Sequence, residues 1–212
     1  MSLAAAPNAD VAGGSVFGQT MGLVAATLGF LTLGAYLGRH LGGGVSILCC
    51  VIGFLCLIGL NYVRGAGGAA AGLLFATGLF LGLGLAGGLD AYASAAPDAV
   101  WQSAAATALF VGGLGALGYG IQSDLSGGYR LLFLLLMGLI IYGLITLFVS
   151  MPAGNVIYAV LGLVIFGGYT VLDFNRLRQS DGGDAPSIAA GIFLDVLNVF
   201  TFFLELFGRG RD

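Results

Sequence analysis

Charge is what this chain has least of. Lysine is absent, the seven positive residues are all arginine, and they face ten acidic ones. Only 8% of residues are charged, where soluble domains carry about 25%. That scarcity excludes an ordinary water-exposed surface. The net charge of −3 and pI near 4.8 exclude the basic stripe that nucleic-acid binding requires, and no polybasic cluster is present for anionic headgroups. Histidine occurs once, as His40 beside Arg39, and cannot build a metal site alone. The three cysteines, Cys49, Cys50 and Cys56, share one apolar stretch and read as small packing residues rather than a disulfide framework. Residues 1–15 contain neither Lys nor Arg, so they lack the basic start of a secretory signal and read as a short disordered tail.

What is present is apolar sequence: 58% of residues are hydrophobic and the mean hydropathy is +1.03. The runs are continuous and about 20 residues long, the length a helix needs to cross hydrocarbon. A membrane barrel would instead alternate apolar and polar residues. Seven stretches qualify, at 16–38, 43–63, 68–88, 99–120, 131–151, 155–174 and 187–207. The expected fold is all-α: a polytopic bundle of seven transmembrane helices forming one domain over 16–208, with a tail at 209–212. Short connections suggest that sequential helices pack as antiparallel neighbours. With seven spans, Arg64, Arg130, Arg176 and Arg178 share a side with the N-terminus, and Arg39, Arg209 and Arg211 lie opposite. That asymmetry votes weakly for a cytoplasmic N-terminus.

Glycine supplies 39 of 212 residues, which suits helices that approach closely in lipid. The pairs Gly18/Gly22, Gly34/Gly38, Gly78/Gly82 and Gly84/Gly88 have small-xxx-small spacing. Two segments, Gly82 to Gly87 and Gly113 to Gly118, match a dinucleotide fingerprint. That motif needs a strand before it and a helix after it, whereas both lie inside apolar helices. No cofactor is expected. Tyr36, Tyr62, Trp101, Tyr119 and Tyr129 fall near span ends, as an aromatic belt would. The longest polar connection runs from Asn175 to Pro186.

Two carboxylates break the apolar pattern. Asp173 closes the sixth stretch and Asp195 lies inside the seventh, between Gly191-Ile-Phe-Leu and Val-Leu-Asn198-Val-Phe. A carboxylate at membrane depth costs several kcal/mol unless paired, protonated or wetted, so it marks a functional site by default. Each is eleven residues from Asp184, so a hairpin turning there would set them at similar depth on neighbouring helices. Two such groups about 3 Å apart cannot both ionise easily and share a proton. Their titration then belongs to the pair. The pair holds two helices together when singly protonated, and repels or attracts a hard cation such as calcium when fully ionised. Asp173, near a span end, also fits a solvated interfacial residue. Asn198, three residues beyond Asp195, lies on the same face and is a candidate hydrogen-bond partner. Arg64 is the cation best placed to reach the pair, and it fits equally a positive-inside anchor. Asp124 reads as a solvated loop residue, and Glu205 as an interfacial one.

The last stretch, with its Leu194-Asp195-x-x-Asn198 core and terminal Leu206-Phe207-Gly208, resembles the closing helix of the Bax inhibitor-1 (transmembrane Bax inhibitor motif) family, bacterial branch. The sixth, Gly167-Gly-Tyr-Thr-Val-Leu-Asp173-Phe-Asn175, is similar to that family's aspartate-bearing helix end, and Asp124-Leu-Ser-Gly127 also looks similar. The resemblance implies a seven-helix bundle with the last helix central, in a bacterial plasma (inner) membrane. It implies a pH-sensitive calcium leak gated by Asp173 and Asp195, with Arg64 near the family's pair-linked arginine. The chain departs from the pattern at Leu172, where Tyr is common, and at Glu205, where Arg is common. Its second stretch lacks the glutamate that some members carry.

Two functions from different classes follow. One is a passive cation leak with Asp173 and Asp195 as proton-linked gate and calcium ligands. The other is a non-conducting regulatory protein that binds other membrane proteins, such as a quality-control protease, through its glycine-lined faces. An enzyme is not expected: no Cys–His arrangement or metal-ligand spacing exists. The Leu172-Asp173 and Leu194-Asp195 contexts also differ from the Tyr-Asp and Gly-x-Gly-Asp motifs of intramembrane aspartyl proteases.

Overall fold

The computed structural model describes residues 9–63, 67–148 and 154–208. Among them are seven α-helices and no strand: α1 Ala9–Leu37, α2 Gly43–Gly59, α3 Gly67–Ala95, α4 Pro97–Gly120, α5 Gly128–Phe148, α6 Gly154–Gln179 and α7 Ala185–Gly208. The all-α seven-helix architecture is as expected. Six helices are long and apolar enough to cross a membrane. The second, at 17 residues, sits at the lower limit. The first helix begins at Ala9, inside the stretch expected as a tail. Residues 1–8 and 209–212, like Arg64 and Pro152, lie outside the described residues.

The bundle is built around α7. It is the most buried span and packs against α1, α3, α4 and α6. Ile188, Ile192, Phe193 and Val199 are almost completely enclosed. Around it the chain does not simply follow sequence order. The α2–α3, α5–α6 and α6–α7 pairs are sequential neighbours, but α1 packs along α3 rather than α2, and α5 packs on α6 rather than α4. Glycine explains the first exchange. A Cβ on Gly82 would run into the Leu31 carbonyl, and one on Gly34 into the Leu79 carbonyl. The two backbones are therefore in direct contact, closer than any side chain permits. Gly18, Gly22 and Gly88 face open space, so the spacing predicted contacts that only some of the pairs make.

Most buried hydroxyls are satisfied within their own helices, Thr20 being the exception. Thr27, Thr77, Ser103, Thr107 and Thr170 each donate to the carbonyl four residues earlier, at 2.6–2.9 Å, a bond that needs no partner across the bundle. Tyr36, Tyr62 and Trp101 are outward-facing and highly exposed, in keeping with a belt. Tyr129 is not: its ring turns inward.

The sixth helix outruns its apolar stretch. Predicted to end at residue 174, it continues through Gln179, so part of the expected polar connection is helical. Asn175 is 2% exposed, and its side-chain amide donates to the carbonyls of Ile121 (2.8 Å) and Ser123 (3.1 Å). Its oxygen accepts from the Leu125 N–H (3.1 Å) and the Gln179 amide (2.8 Å). Arg178 donates to the Gln122 carbonyl at 2.7 Å. These polar residues extend the helix because the α4–α5 loop pairs with them. The end of apolar sequence did not mark the end of the helix.

Candidate functional site

Asp173 and Asp195 are both buried, at 6% and 3% exposure, on adjacent helices. The remaining link between α6 and α7 is short, and its one positive-φ residue, Gly182 (φ 97°), adopts a conformation that favours glycine. The hairpin centre is therefore two residues before the expected Asp184. That shift changes the register. Nine residues separate Asp173 from Gly182, and nine separate Gly182 from Gly191, so Asp173 stands level with Gly191, one turn short of Asp195. The packing agrees. A Cβ on Gly191 would fall on the Asp173 carboxylate, 3.0 Å from Cγ, 3.4 Å from Oδ1 and closer still to Oδ2. Gly191 is the bare patch of α7 that admits the first acid, and Asp195 begins the next turn above it.

The two carboxyls are held differently. Tyr129, at the start of α5, donates its hydroxyl to Asp173 Oδ1 at 2.5 Å. Arg176, on the same helix as Asp173, supplies the nearby positive charge and forms an ion pair with Asp184 at 3.2 Å. Asp195 lies beside Thr170 and within electrostatic reach of Asp173. Its Oδ2 is buried without a hydrogen-bond partner. Buried polar atoms are nearly always paired, so an orphaned buried oxygen on a residue within electrostatic reach of a second carboxyl is an exception that needs a reason. The ring of Tyr169 lies 6.2 Å from Tyr129 and 5.9 Å from Phe166, giving the pair an aromatic wall.

Open space lies on both sides. A cavity of about 470 Å³ bounded by Asp124, Tyr129, Asn175, Arg176 and Gln179 reaches toward Asp173. On the other side a cavity of about 420 Å³ touches Phe166, Leu194 and Asn198. It shares Tyr158, Asn198, Thr201 and Phe202 with a cleft of about 540 Å³ that reaches Glu205. Neither carboxylate lines these cavities: the first opens beside Leu172 and Tyr129, the others beside Leu194 and Asn198.

The sequence-predicted residues therefore divide. Asp173 and Asp195 are both buried on adjacent helices, one turn apart in register and within electrostatic reach of each other. Asn198 does not bridge to Asp195; its amide donates to the Leu194 carbonyl at 2.8 Å and the side chain lines the cavities on the Glu205 side. Asp124 stays in its exposed loop, accepting from the Ser126 N–H at 2.8 Å. Among the described residues no group of three or more His, Cys, Asp or Glu gathers. Tyr129, Gly191 and Thr170 were missed. For Gly191 a signal existed, since it precedes Asp195 by one helical turn.

Replacing Tyr129 with Phe leaves Asp173 Oδ1 without this donor. The expected loss is about 1–3 kcal/mol of stability, read as a lower unfolding temperature in detergent; an unchanged midpoint would show that the bond contributes nothing.

Fold and site together define a polytopic α-helical membrane protein with a buried carboxylate pair at its central hairpin. The chain belongs to the Bax inhibitor family: the family model described as "Inhibitor of apoptosis-promoting Bax1" matches residues 14–212. Similar proteins include an uncharacterized protein of Caulobacter vibrioides, 33% identical over 116 residues covering 50% of this chain and 46% of that one. An uncharacterized protein of Deinococcus radiodurans is 32% identical over 154 residues, covering 68% and 65%. The inner membrane protein YbhL of Escherichia coli is 28% identical over 116 residues, covering 50% of each. The alignment thus spans about half the length of most of these relatives, and the membrane-spanning character of this chain agrees with the name of YbhL as an inner membrane protein.

Proposed function

We propose that this protein is a pH-sensitive cation leak, with calcium as the conducted ion, gated by Asp173 and Asp195. The observation that carries the reading is the buried, unpartnered Oδ2 of Asp195 within electrostatic reach of Asp173, with cavities opening beside Leu172 on one helix and Leu194 on the other. With one proton shared, the pair joins α6 to α7 and closes the space between the cavities. With the proton gone, two charges repel across the Gly191 contact and the same oxygens can ligate a passing cation. Calcium takes 6–8 oxygen ligands; two carboxylates alone hold it weakly, which suits passage rather than storage. Arg176 is the cation that tempers the charge on Asp173, a role the sequence offered to Arg64. Arg130, Arg176 and Arg178 lie at the Asp173 end of the bundle, which we take as cytoplasmic.

In liposomes loaded with a calcium dye, flux through the parent protein is expected to rise as pH rises through the titration of the pair. Asp195→Asn removes the shared proton, so its flux should be flat with pH. Flux equal to empty liposomes at every pH would sink the leak and leave the non-conducting, partner-binding alternative.

A further inference from the structure

We infer that the cavity between α2 and α5 is a binding site for one acyl chain of a membrane lipid. The two helices that flank it are not partners: α2 packs chiefly on α3, and α5 chiefly on α6. The gap between them is floored by Leu194 and Leu197 of α7, walled by Leu81 of α3 and Leu139 of α5, and amounts to about 420 Å³. Its mouth lies on the perimeter of the bundle, because Phe54 of α2 and Ile140 of α5 border it and both are exposed. In a chain built of membrane spans, that perimeter faces hydrocarbon.

Size and polarity decide what fills it. Water is a poor occupant, since the walls are mostly apolar and each buried water needs several polar partners. A partner helix is too thick to lodge there: at about 10 Å across, a single turn of about 5.4 Å already fills about 420 Å³. Left empty, the walls would forfeit their dispersion contacts on that side. An alkyl chain is thin, apolar and already the neighbour of Phe54 and Ile140, so it enters sideways without crossing a polar layer. The polar residues set its direction. Tyr158, Asn198, Thr201 and Phe202 carry the cavity on into the cleft that Asn155 borders. Asn155 and Tyr158 lie in the first turns of α6, near the membrane surface, and their amide and hydroxyl are donors suited to an ester carbonyl at the head of a chain. Phe166, at the inner end, is eleven residues beyond Asn155, about 16 Å along the helix. The chain therefore descends from the leaflet at the Gly208 end of α7, and its tip rests against Leu194. An occupied cavity keeps water off that flank of α7.

Fluorescence quenching reads contact between the cavity wall and lipid tails. Trp101 is the sole tryptophan, so a Trp101→Phe background carries one reporter, Leu139→Trp, on a wall residue that is only 4% exposed. The full chain is reconstituted in phosphatidylcholine brominated midway along one acyl chain, a short-range quencher. Quenching of Leu139→Trp is expected to approach that of Leu109→Trp, on the open face of α4, and to exceed several-fold that of Phe193→Trp, which is wholly enclosed. Acrylamide, a water-borne quencher, should have little effect on it. Leu85→Phe, which puts a ring into the cavity, should cut the lipid quenching several-fold and leave that of Leu109→Trp unchanged. Should Leu139→Trp fail to fold, Phe166→Trp replaces one aromatic with another on the α6 wall and reads the same space. Quenching by acrylamide instead would mean that water fills the cavity. Quenching by neither would mean that protein does, as a partner helix or as side chains closing the gap. Lipid quenching indifferent to Leu85→Phe would mean that the bromines reach the reporter from outside. Each of these three results overturns the site. None depends on calcium flux, so the leak and the lipid site fail separately.

Discussion

Gly191→Ala is expected to destabilise the bundle by about 1–3 kcal/mol, the usual cost of forcing a methyl group into filled space, and to abolish the pH response of flux. The added Cβ meets the carboxylate of Asp173. Asp173 has little freedom to yield. Its side chain is short, it is buried, and Oδ1 is engaged by Tyr129 at 2.5 Å. Either that bond breaks or α6 moves off α7, and in both cases the spacing of the acids changes. Gly112→Ala is the matched control, because a Cβ there meets nothing within 4 Å. A double-mutant cycle sharpens the claim. If the clash is with this carboxylate, Gly191→Ala should cost much less in an Asp173→Ala background, giving a coupling energy of about 1 kcal/mol or more. Equal costs in the two backgrounds would show that the alanine acts elsewhere.

The second large effect is expected at Asn175. Its side chain satisfies the Ile121 and Ser123 carbonyls and the Leu125 N–H, and leucine at this position fills similar space while satisfying none. Buried groups left unpaired cost about 1–3 kcal/mol each, so Asn175→Leu should lose on the order of 3–5 kcal/mol, at the upper end for a single substitution. The damage should be local first. Residues 121–127 keep only the Arg178–Gln122 bond to α6 among those described, so their amide hydrogens should exchange faster than those of α7. That loop leads directly into α5, where Tyr129 reaches Asp173, so the acidic pair loses its donor as a secondary consequence. Unchanged exchange across 121–127 would remove the tether from the account.

The sequence made the helices legible because continuous apolar runs of spanning length have one common solution in lipid. It made Asp173 and Asp195 legible because an acid there is costly enough to need a reason. What it hid were relations between helices. Gly191 was one glycine among 39; its place one turn before Asp195 set it apart from Gly18, which touches nothing across the bundle, but not that Asp173 would fill the space it leaves. Tyr129 stood where a belt residue stands, and only the tertiary contact turns it inward. Asn175 looked like the start of a loop because polarity alone cannot reveal that another loop supplies its partners. The register error had a single origin. Placing the hairpin centre at Asp184 instead of Gly182 moved the partner of Asp173 by a full helical turn, from Gly191 to Asp195. Arg64 was offered as the pair's cation and lies outside the described residues, while Arg176, three residues from Asp173, needed no tertiary inference at all.

The brevity of α2 has a consequence for the surrounding lipid. Seventeen helical residues rise about 25 Å, roughly 5 Å less than the hydrocarbon they border. The longer helices impose no such deficit, so the shortfall is confined to one flank. Acyl chains beside α2 must compress or splay to cover it, at a fraction of a kcal/mol for each ångström. Where α2 crosses the bilayer, that flank is expected to favour shorter acyl chains than the rest of the perimeter, a selection by tail length that needs no headgroup contact.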